Sequence, residues 1–116
     1  MQNAIEIYTD GGCWGNPGPG GWAYRIHLDG ETLEGSGGDA ATTNNRMELT
    51  AVIEALRLIR RDESLAKRPV VVHTDSQYVK NGISSWIETW SRNGWKTAAK
   101  KPVKNQDLWL ILKELR

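Results

Sequence analysis

The sequence predicts an α/β fold, in which a mixed sheet is flanked by helices. Two observations predict it. Strand-like segments precede one long amphipathic helix over residues 42–61, and a short valine-rich segment, 70–74, follows that helix. A strand, a crossover helix and a second strand at this spacing place the two strands parallel in one sheet. We therefore expect a three-stranded antiparallel meander with one parallel strand beside it.

The first strand is predicted over residues 4–9, where Ile5, Ile7 and Thr9 share one side of a period-two pattern, and it should end at Asp10. A glycine-rich loop follows over residues 11–21. It lacks the Lys-Ser/Thr pair of a P-loop and no helix follows it, which excludes a nucleotide cradle of that kind.

The next two strands are predicted as a hairpin. Residues 22–28 and 31–37 flank Asp29-Gly30, a pair that is typical of tight two-residue hairpin turns. These strands complete the meander before the helix.

The helix predicted over residues 42–61 should be capped by Thr43 or Asn44. At roughly 100° per residue, Glu48 falls in the middle of its apolar face, and only Ile53 departs from the pattern. A buried carboxylate costs several kcal/mol unless something pairs with it. The alternative is a first-turn acid that the helix dipole stabilises.

The rest of the chain predicts one strand and three helices. The strand over residues 70–74 should end at Asp75 and be covered on both faces, because it is a short β-branched run. Two short helices, broken at Gly82 and ended by Asn93-Gly94, should precede a basic loop and a last amphipathic helix. These helices are predicted over residues 76–81, 84–91 and 106–115.

Composition and charge narrow the class of protein. The chain has 116 residues, enough for one domain with a single core, and its net charge of +1 does not by itself indicate a nucleic-acid binder. Residues 92–104, however, contain four lysines, one arginine and no acid. The single cysteine, Cys13, excludes an internal disulfide, and no apolar run approaches the length of a membrane span, so we expect a cytoplasmic protein.

Asp10, Glu48 and Asp75 should converge at the carboxyl end of the two parallel strands, where open α/β sheets commonly place their sites. Each also has a structural explanation: Asp10 as a turn former, Glu48 as a dipole partner and Asp75 as a helix cap. Clustered carboxylates repel one another unless a cation neutralises them. Hard oxygen ligands favour Mg²⁺, or Mn²⁺ as a substitute.

Three segments resemble the motifs of type 1 ribonuclease H, in this order: TDGGCWGNPGPGGW, TTNNRMEL and HTDSQYV. A fourth, GWKTAAKKPVKNQDLW, is similar to the basic protrusion of the bacterial enzymes. The resemblance extends from Ile5 to about Leu115. It implies a ribonuclease H-like sheet and Mg²⁺-dependent cleavage of the RNA strand of RNA/DNA hybrids, leaving 5′-phosphate and 3′-hydroxyl ends. It also implies that Asp10, Glu48 and Asp75 are metal-binding and catalytic residues.

The same resemblance implies a substrate surface. Amide side chains suit the 2′-hydroxyls that distinguish RNA from DNA. Thr43 and Asn16 are similar to the family's pocket for a DNA phosphate, and Trp86 and the region around Trp90 to its DNA-strand channel and basic handle. The implied substrate-binding residues are Cys13, Asn16, Thr43, Asn44, Asn45, Gln77, Trp86, Lys96 and Lys101.

One part of the family pattern has no counterpart. In the family a fourth carboxylate follows a loop that carries a histidine, yet Arg116 lies only 41 residues after Asp75. Neither Asp107 nor Glu114 is suitably placed, and neither histidine, His27 or His73, occupies the family's position. We therefore expect residues 1–116 to be a single, C-terminally incomplete domain that lacks the fifth strand and the last helix.

This departure keeps other functions open. The alternative to the enzyme is a non-catalytic module that binds RNA/DNA hybrids, and a third possibility is a related nuclease or integrase of the same fold. A complete chain should be a monomer, whereas in a truncated one the strand at 70–74 becomes a sheet edge that is open to pairing or to a partner fragment.

Overall fold

The computed structural model describes residues 4–97 and 99–115 and contains a four-stranded sheet in the order β3-β2-β1-β4. The first three strands are antiparallel neighbours, and β4 is parallel to β1. The mixed sheet of the prediction is confirmed. The strands are β1 (Ile5–Cys13), β2 (Gly18–Leu28), β3 (Glu31–Thr42) and β4 (Val70–His73).

The meander strands are longer than predicted. Both β1 and β2 extend into the glycine-rich segment, so only residues 14–17 join them, and Asp10 lies inside β1 rather than at its end. The rings of Trp22 and Tyr24 on β2 lie over their cross-strand partners on β3, Gly37 and Gly35 respectively, and a Cβ on either glycine would come within 2.5 Å of the ring that covers it. Aromatic cover of this kind explains how a glycine-rich segment stays in the sheet.

The hairpin turn is confirmed. Asp29 and Gly30 have φ angles of 51° and 84°, and β2 pairs with β3 immediately on either side of them. Two positive φ angles define the turn type that the right-handed twist of paired strands favours. Arg68 donates two hydrogen bonds to the Asp29 carboxylate, at 2.9 and 3.1 Å, which fixes this turn to the segment before β4.

The long helix α1 (Asn44–Arg60) packs on β1 and β2. Thr43 caps it, because its hydroxyl accepts a hydrogen bond from the Arg46 backbone N–H at 3.2 Å. Ile53, which departs from the single apolar face, is nevertheless buried. The reason is that α1 also packs against α5 (Gln106–Leu115), so two of its sides are covered.

The strand β4 is an edge of the described sheet, and only one of its faces is covered. Val71 is 45% exposed, which corrects the expectation of a strand buried on both faces. On β1 the side chains alternate in the same way: Ile5 and Ile7 are buried under α1, whereas Tyr8 on the opposite face is 42% exposed. The helices that cover the sheet therefore leave its other face open to solvent at these positions.

The predicted break at Gly82 is wrong. Residues 77–93 form one helical stretch, made of α3 (Gln77–Asn81), a π-helical turn (Gly82–Trp86) and α4 (Ile87–Asn93), and Gly94 ends it with a φ of 79°. There is no room for a side chain at Gly82, because the ring of Trp109 lies against it: a Cβ there would be 1.9 Å from Cη2 of that ring. A short helix, α2 (Glu63–Ala66), precedes β4. No helix in the described part of the chain is long and apolar enough to cross a membrane.

Candidate active site

Asp10 and Asp75 lie where β1 and β4 separate. The parallel pairing runs from Ile5 opposite Val70 to Tyr8 opposite His73 and stops there. The same register continued by two residues brings Asp10 level with Asp75. The two acids therefore share one end of the parallel pair, as predicted, although Asp10 is still within its strand.

Glu48 is brought to the same place by a close approach of two backbones. A Cβ on Gly11 would lie 2.5 Å from the Met47 carbonyl carbon and 2.7 Å from the Glu48 nitrogen. Only glycine permits α1 to rest on β1 at this point. The second turn of α1 thus sits directly beside the residue that follows Asp10.

The Glu48 carboxyl is partly buried and interacts electrostatically with both other acids. Burial raises the pKa of the Glu48 carboxyl above its ordinary value, and the negative charge of Asp10 raises it further. Asp75 adds a smaller effect in the same direction, while hydrogen bonds from the Gly11 backbone and the Thr74 hydroxyl oppose it. Among the described residues, the buried oxygen Oε2 of Glu48 has no hydrogen-bond partner.

The structure excludes the purely structural role that the sequence allowed for each of the three acids. Asp10 is paired opposite Ala23 in the sheet, so it does not form a turn. Glu48 is the fifth residue of α1, and that helix has no acid in its first turn. The cap of α3 is Ser76, whose hydroxyl accepts from the Val79 N–H at 3.1 Å, and not Asp75.

The acids are neighbours but do not form a closed cluster. Over residues 4–97 and 99–115, no group of three or more His, Cys, Asp or Glu side chains is arranged closely enough to hold a metal ion. The chemistry of the donors nevertheless fits a hard divalent cation: three carboxylates, of which Glu48 contributes a buried oxygen that has no hydrogen-bond partner in the described part of the chain. Such an oxygen is costly unless a ligand satisfies it.

A second group of predicted residues comes together beside the acids. The Cys13 backbone N–H donates to Oδ1 of Asn44 at 2.7 Å, and the Asn44 N–H donates to Oδ1 of Asn16 at 2.9 Å. The Cys13 thiol lies 3.6 Å from the same Asn16 oxygen. Thr43, the cap of α1, is next to Asn44 in the chain. Cys13, Asn16, Thr43 and Asn44 thus form one surface, which we call the amide surface.

The other predicted contacts lie further along the molecule. Asn45 is exposed in the first turn of α1, and Gln77 is exposed at the start of α3. Trp86 is half-buried, with its ring 5.7 Å from that of Tyr78 and 5.6 Å from that of Trp90. Trp109 is completely buried.

The basic segment is an ordered turn. Lys96 pairs with Pro102 in an isolated bridge, and the Thr97 N–H donates to the Lys101 carbonyl at 2.7 Å. Lys96 and Lys101 are both exposed. Ala98, within this segment, lies outside the described residues.

Sequence reasoning missed the role of Arg46. Its guanidinium donates two hydrogen bonds to the Asp107 carboxylate, at 3.0 and 2.8 Å, and one to Oδ1 of Asn105 at 3.2 Å. These hydrogen bonds join the start of α1 to the start of α5. The partners are about 60 residues apart in sequence, and no local pattern links them.

The fold and the three acids define an α/β protein with a carboxylate centre at the point where two parallel strands separate. The family described as RNase H matches residues 2–116. The chain therefore belongs to the ribonuclease H family.

Curated relatives agree with this assignment. Ribonuclease H of Hyphomonas neptunium is 56% identical over 113 residues, which are 97% of this chain and 72% of the relative. Ribonuclease H of Aromatoleum aromaticum is 59% identical over 116 residues, covering 98% of this chain and 71% of the relative. The chain thus spans nearly three quarters of the length of these relatives.

Solved structures show the same fold. LC9-RNase H1, described as a type 1 RNase H, has a TM-score of 0.81 and 31% identity, covering 99% of this chain and 58% of that one. LC11-RNase H1 in complex with an RNA/DNA hybrid has a TM-score of 0.71 and 30% identity, covering 96% of this chain and 75% of that one. The predicted resemblance is confirmed.

Proposed function

We propose that this chain hydrolyses the RNA strand of RNA/DNA hybrids at the carboxylate centre formed by Asp10, Glu48 and Asp75. The observation that carries the proposal is the buried Oε2 atom of Glu48, which has no hydrogen-bond partner among the described residues and belongs to a carboxyl beside two further acids. A buried carboxyl whose pKa is raised by burial and by neighbouring acids is typical of a functional site. Membership of the ribonuclease H family gives this site its substrate class.

Mg²⁺, with Mn²⁺ as a substitute, is the cofactor that we propose for this centre. Asp10, Glu48 and Asp75 would hold it, since hard oxygen donors favour these ions. Such an ion supplies an activated water and neutralises charge on a phosphodiester, which gives 5′-phosphate and 3′-hydroxyl products in the proposed reaction. The contact of α1 on Gly11 holds the Glu48 backbone in place, so this donor is positioned before any ligand arrives.

The amide surface is the part that we propose to bind the hybrid. Its hydrogen bonds fix the orientation of Asn16 and Asn44, and it lies beside the acids because Cys13 continues the strand that carries Asp10. Amide groups can both donate to and accept from 2′-hydroxyls, which allows an RNA strand to be distinguished from DNA. Asn45, Gln77, Trp86 and the exposed lysines Lys96 and Lys101 would extend this contact.

The test is cleavage of an end-labelled RNA/DNA hybrid in the presence of Mg²⁺. The parent chain should cleave the RNA strand, and Asp10→Asn should lower the rate by roughly a thousandfold, or about 4 kcal/mol of barrier. Glu31→Gln, which neutralises an exposed acid in the hairpin at the far end of the sheet, is the matched control and should cleave normally.

The outcomes separate the possible functions. Retention of the hybrid without cleavage would replace the enzyme by the binding module, which the family assignment does not favour. Equal cleavage of duplex DNA would instead indicate a related nuclease of the same fold. Near-normal turnover by Asp10→Asn would contradict the carboxylate centre.

A further inference from the structure

Trp14 differs from the other five tryptophans of the chain. Its side chain is 84% exposed, at the start of the 14–17 loop. The others are buried or half-buried, and each packs against another aromatic ring. These five are Trp22, Trp86, Trp90, Trp95 and Trp109. An indole is among the most costly groups to leave in water, so an exposed one calls for an explanation.

The loop that carries Trp14 is held in place. The Trp14 N–H donates to the Pro19 carbonyl at 2.8 Å, which closes the loop across its base. Gly18 passes directly over the Trp14 carbonyl, because a Cβ on Gly18 would lie only 1.7 Å from that oxygen. On either side, Cys13 and Asn16 are hydrogen-bonded to Asn44. The backbone therefore presents the indole from a fixed position rather than on a free segment.

This position adjoins the amide surface, since Trp14 lies between Cys13 and Asn16 in sequence and both belong to it. A nucleic acid bound across that surface would pass close to the loop that carries the indole. Aromatic side chains contact nucleic acids through their flat faces without depending on sequence. In a duplex hybrid the bases are stacked on one another, so the ring faces that remain accessible at the edge of a groove are those of the sugars. The indole is large, apolar and bears one N–H donor, so it suits the sugar rings at the edge of a groove.

We propose that Trp14 is a substrate-contacting residue that packs its indole against the sugar rings of an RNA/DNA hybrid bound across the amide surface. The proposal rests on the proposed function. It adds an apolar contact to a surface whose other members, Asn16 and Asn44, contribute hydrogen-bonding groups. It also explains why an indole is exposed there, because the hybrid would cover it.

The first test is hybrid affinity, measured by fluorescence anisotropy with Ca²⁺ in place of Mg²⁺ to prevent cleavage. Trp14→Ala should raise the Kd about tenfold, at the lower end of what one stacking contact contributes. Trp14→Tyr, which keeps an aromatic face, should stay within about threefold of the parent, on the same scale. Leu33→Ala is the matched control: this exposed apolar residue lies at the other end of the meander, and its loss should leave Kd unchanged.

Two results separate the possible failures. If the parent itself does not bind the hybrid, the proposed function fails and Trp14 fails with it. If the parent binds the hybrid and Trp14→Ala binds as tightly as Leu33→Ala, only the Trp14 proposal is overturned. Unfolding should not confuse the result, because an 84% exposed side chain contributes little to the core and the melting temperature of Trp14→Ala should match the parent.

A second test does not depend on a variant's affinity. Acrylamide quenches exposed indoles more readily than buried ones, so Trp14 should supply much of the quenchable tryptophan fluorescence in the free protein. Hybrid binding should protect this part in the parent, and the protection should be much smaller in Trp14→Tyr. Equal protection in the two proteins, at saturating hybrid, would overturn the proposal.

Discussion

Arg46 and Glu48 lie two residues apart on α1, but they differ in how far their side chains are hydrogen-bonded. At about 100° per residue they point to different sides of the helix, Arg46 towards α5 and Glu48 towards β1. Arg46 has a bidentate partner in Asp107 and a third bond to Asn105. One oxygen of Glu48 is buried with no partner among the described residues.

The hydrogen bonds of Arg46 continue into a larger network. The Asn105 side chain donates to the Tyr78 hydroxyl at 3.1 Å, and the Trp109 indole N–H donates to the same oxygen at 3.0 Å. Polar groups that are fully paired in this way fix the relative positions of helices. The comparison teaches that two charged residues in one helix can serve different purposes: Arg46 joins two helices, whereas Glu48 is the residue that we propose to bind a cation.

The largest effect should follow from disturbing the contact that places Glu48. Gly11→Ala puts a methyl group 2.5–2.7 Å from backbone atoms of Met47 and Glu48, so α1 must move away from β1. We expect a loss of about 1–3 kcal/mol in unfolding free energy, as for other overpacked sites. Cleavage of the hybrid should fall as well, because Glu48 moves with the helix.

The control for this variant is the neighbouring glycine. Gly12→Ala meets only the Asn44 side chain, at an ordinary 3.7 Å, and should unfold within about 0.5 kcal/mol of the parent. Urea unfolding of the two variants is the measurement. If Gly11→Ala is as stable as Gly12→Ala, the close packing of α1 on β1 is not what positions Glu48.

The contact at Gly11 also shows what a sequence can and cannot reveal. The alternating pattern of β1, the Asp29-Gly30 turn, the Thr43 cap and the parallel strand at 70–73 are local or periodic signals, and the structure confirms them. The convergence of the acids followed from that topology. The length of β1 did not, because its glycines have low strand propensity and remain in the sheet through pairing with β2, a long-range contact.

Long-range contacts account for the other differences. In the sequence Gly82 resembles a helix break, whereas in the structure it makes room for Trp109, which lies 27 residues later in the chain. Arg46 resembles a solvated residue until Asp107 is brought next to it by the packing of α5 on α1. Neither partner can be inferred from spacing along one helix. These are the parts of the fold that only the three-dimensional structure provides.

A smaller loss of unfolding free energy should follow from removing the hydrogen bonds of Arg46. Arg46→Met keeps much of the apolar stem but removes three hydrogen bonds, and we expect a loss of about 1–2 kcal/mol, since the pair is partly exposed. Arg92→Met, which removes an exposed pair with Glu88, should cost less than about 0.5 kcal/mol. Equal unfolding free energies for the two variants would mean that the Arg46 bond does not hold α5.

The pH dependence of this bond has a definite sign. Hydrogen bonding to Arg46 lowers the pKa of Asp107 below its ordinary value of 3.8. A carboxyl with a lowered pKa stabilises the folded state above pH 3.8 and loses that contribution as the pH falls through its folded pKa. The difference in unfolding free energy between Asp107→Asn and the parent should therefore be largest at neutral pH and shrink in acid.

The effect of Glu48 on stability depends on pH with the opposite sign. Its pKa is raised above the ordinary 4.5, so the ionised carboxyl destabilises the folded protein once the pH rises through the folded pKa, and the penalty is absent below pH 4.5. Glu48→Gln should remove this penalty. We expect it to stabilise the protein at neutral pH by about 1 kcal/mol in the absence of divalent ions, the lower end of the cost of an unsatisfied buried group.

The central claim, that Glu48 is kept for a cation, is tested most directly by chemical unfolding of the parent and Glu48→Gln at pH 8 and pH 4, with EDTA or with Mg²⁺. The account predicts that the variant is more stable than the parent in EDTA at pH 8. It also predicts that this advantage disappears at pH 4, and that Mg²⁺ at pH 8 stabilises the parent more than the variant. A variant that is less stable than the parent in EDTA at pH 8 would contradict the account, because hydrogen bonds within the chain, such as those from Gly11 and Thr74, would then outweigh the cost of burying the Glu48 carboxylate.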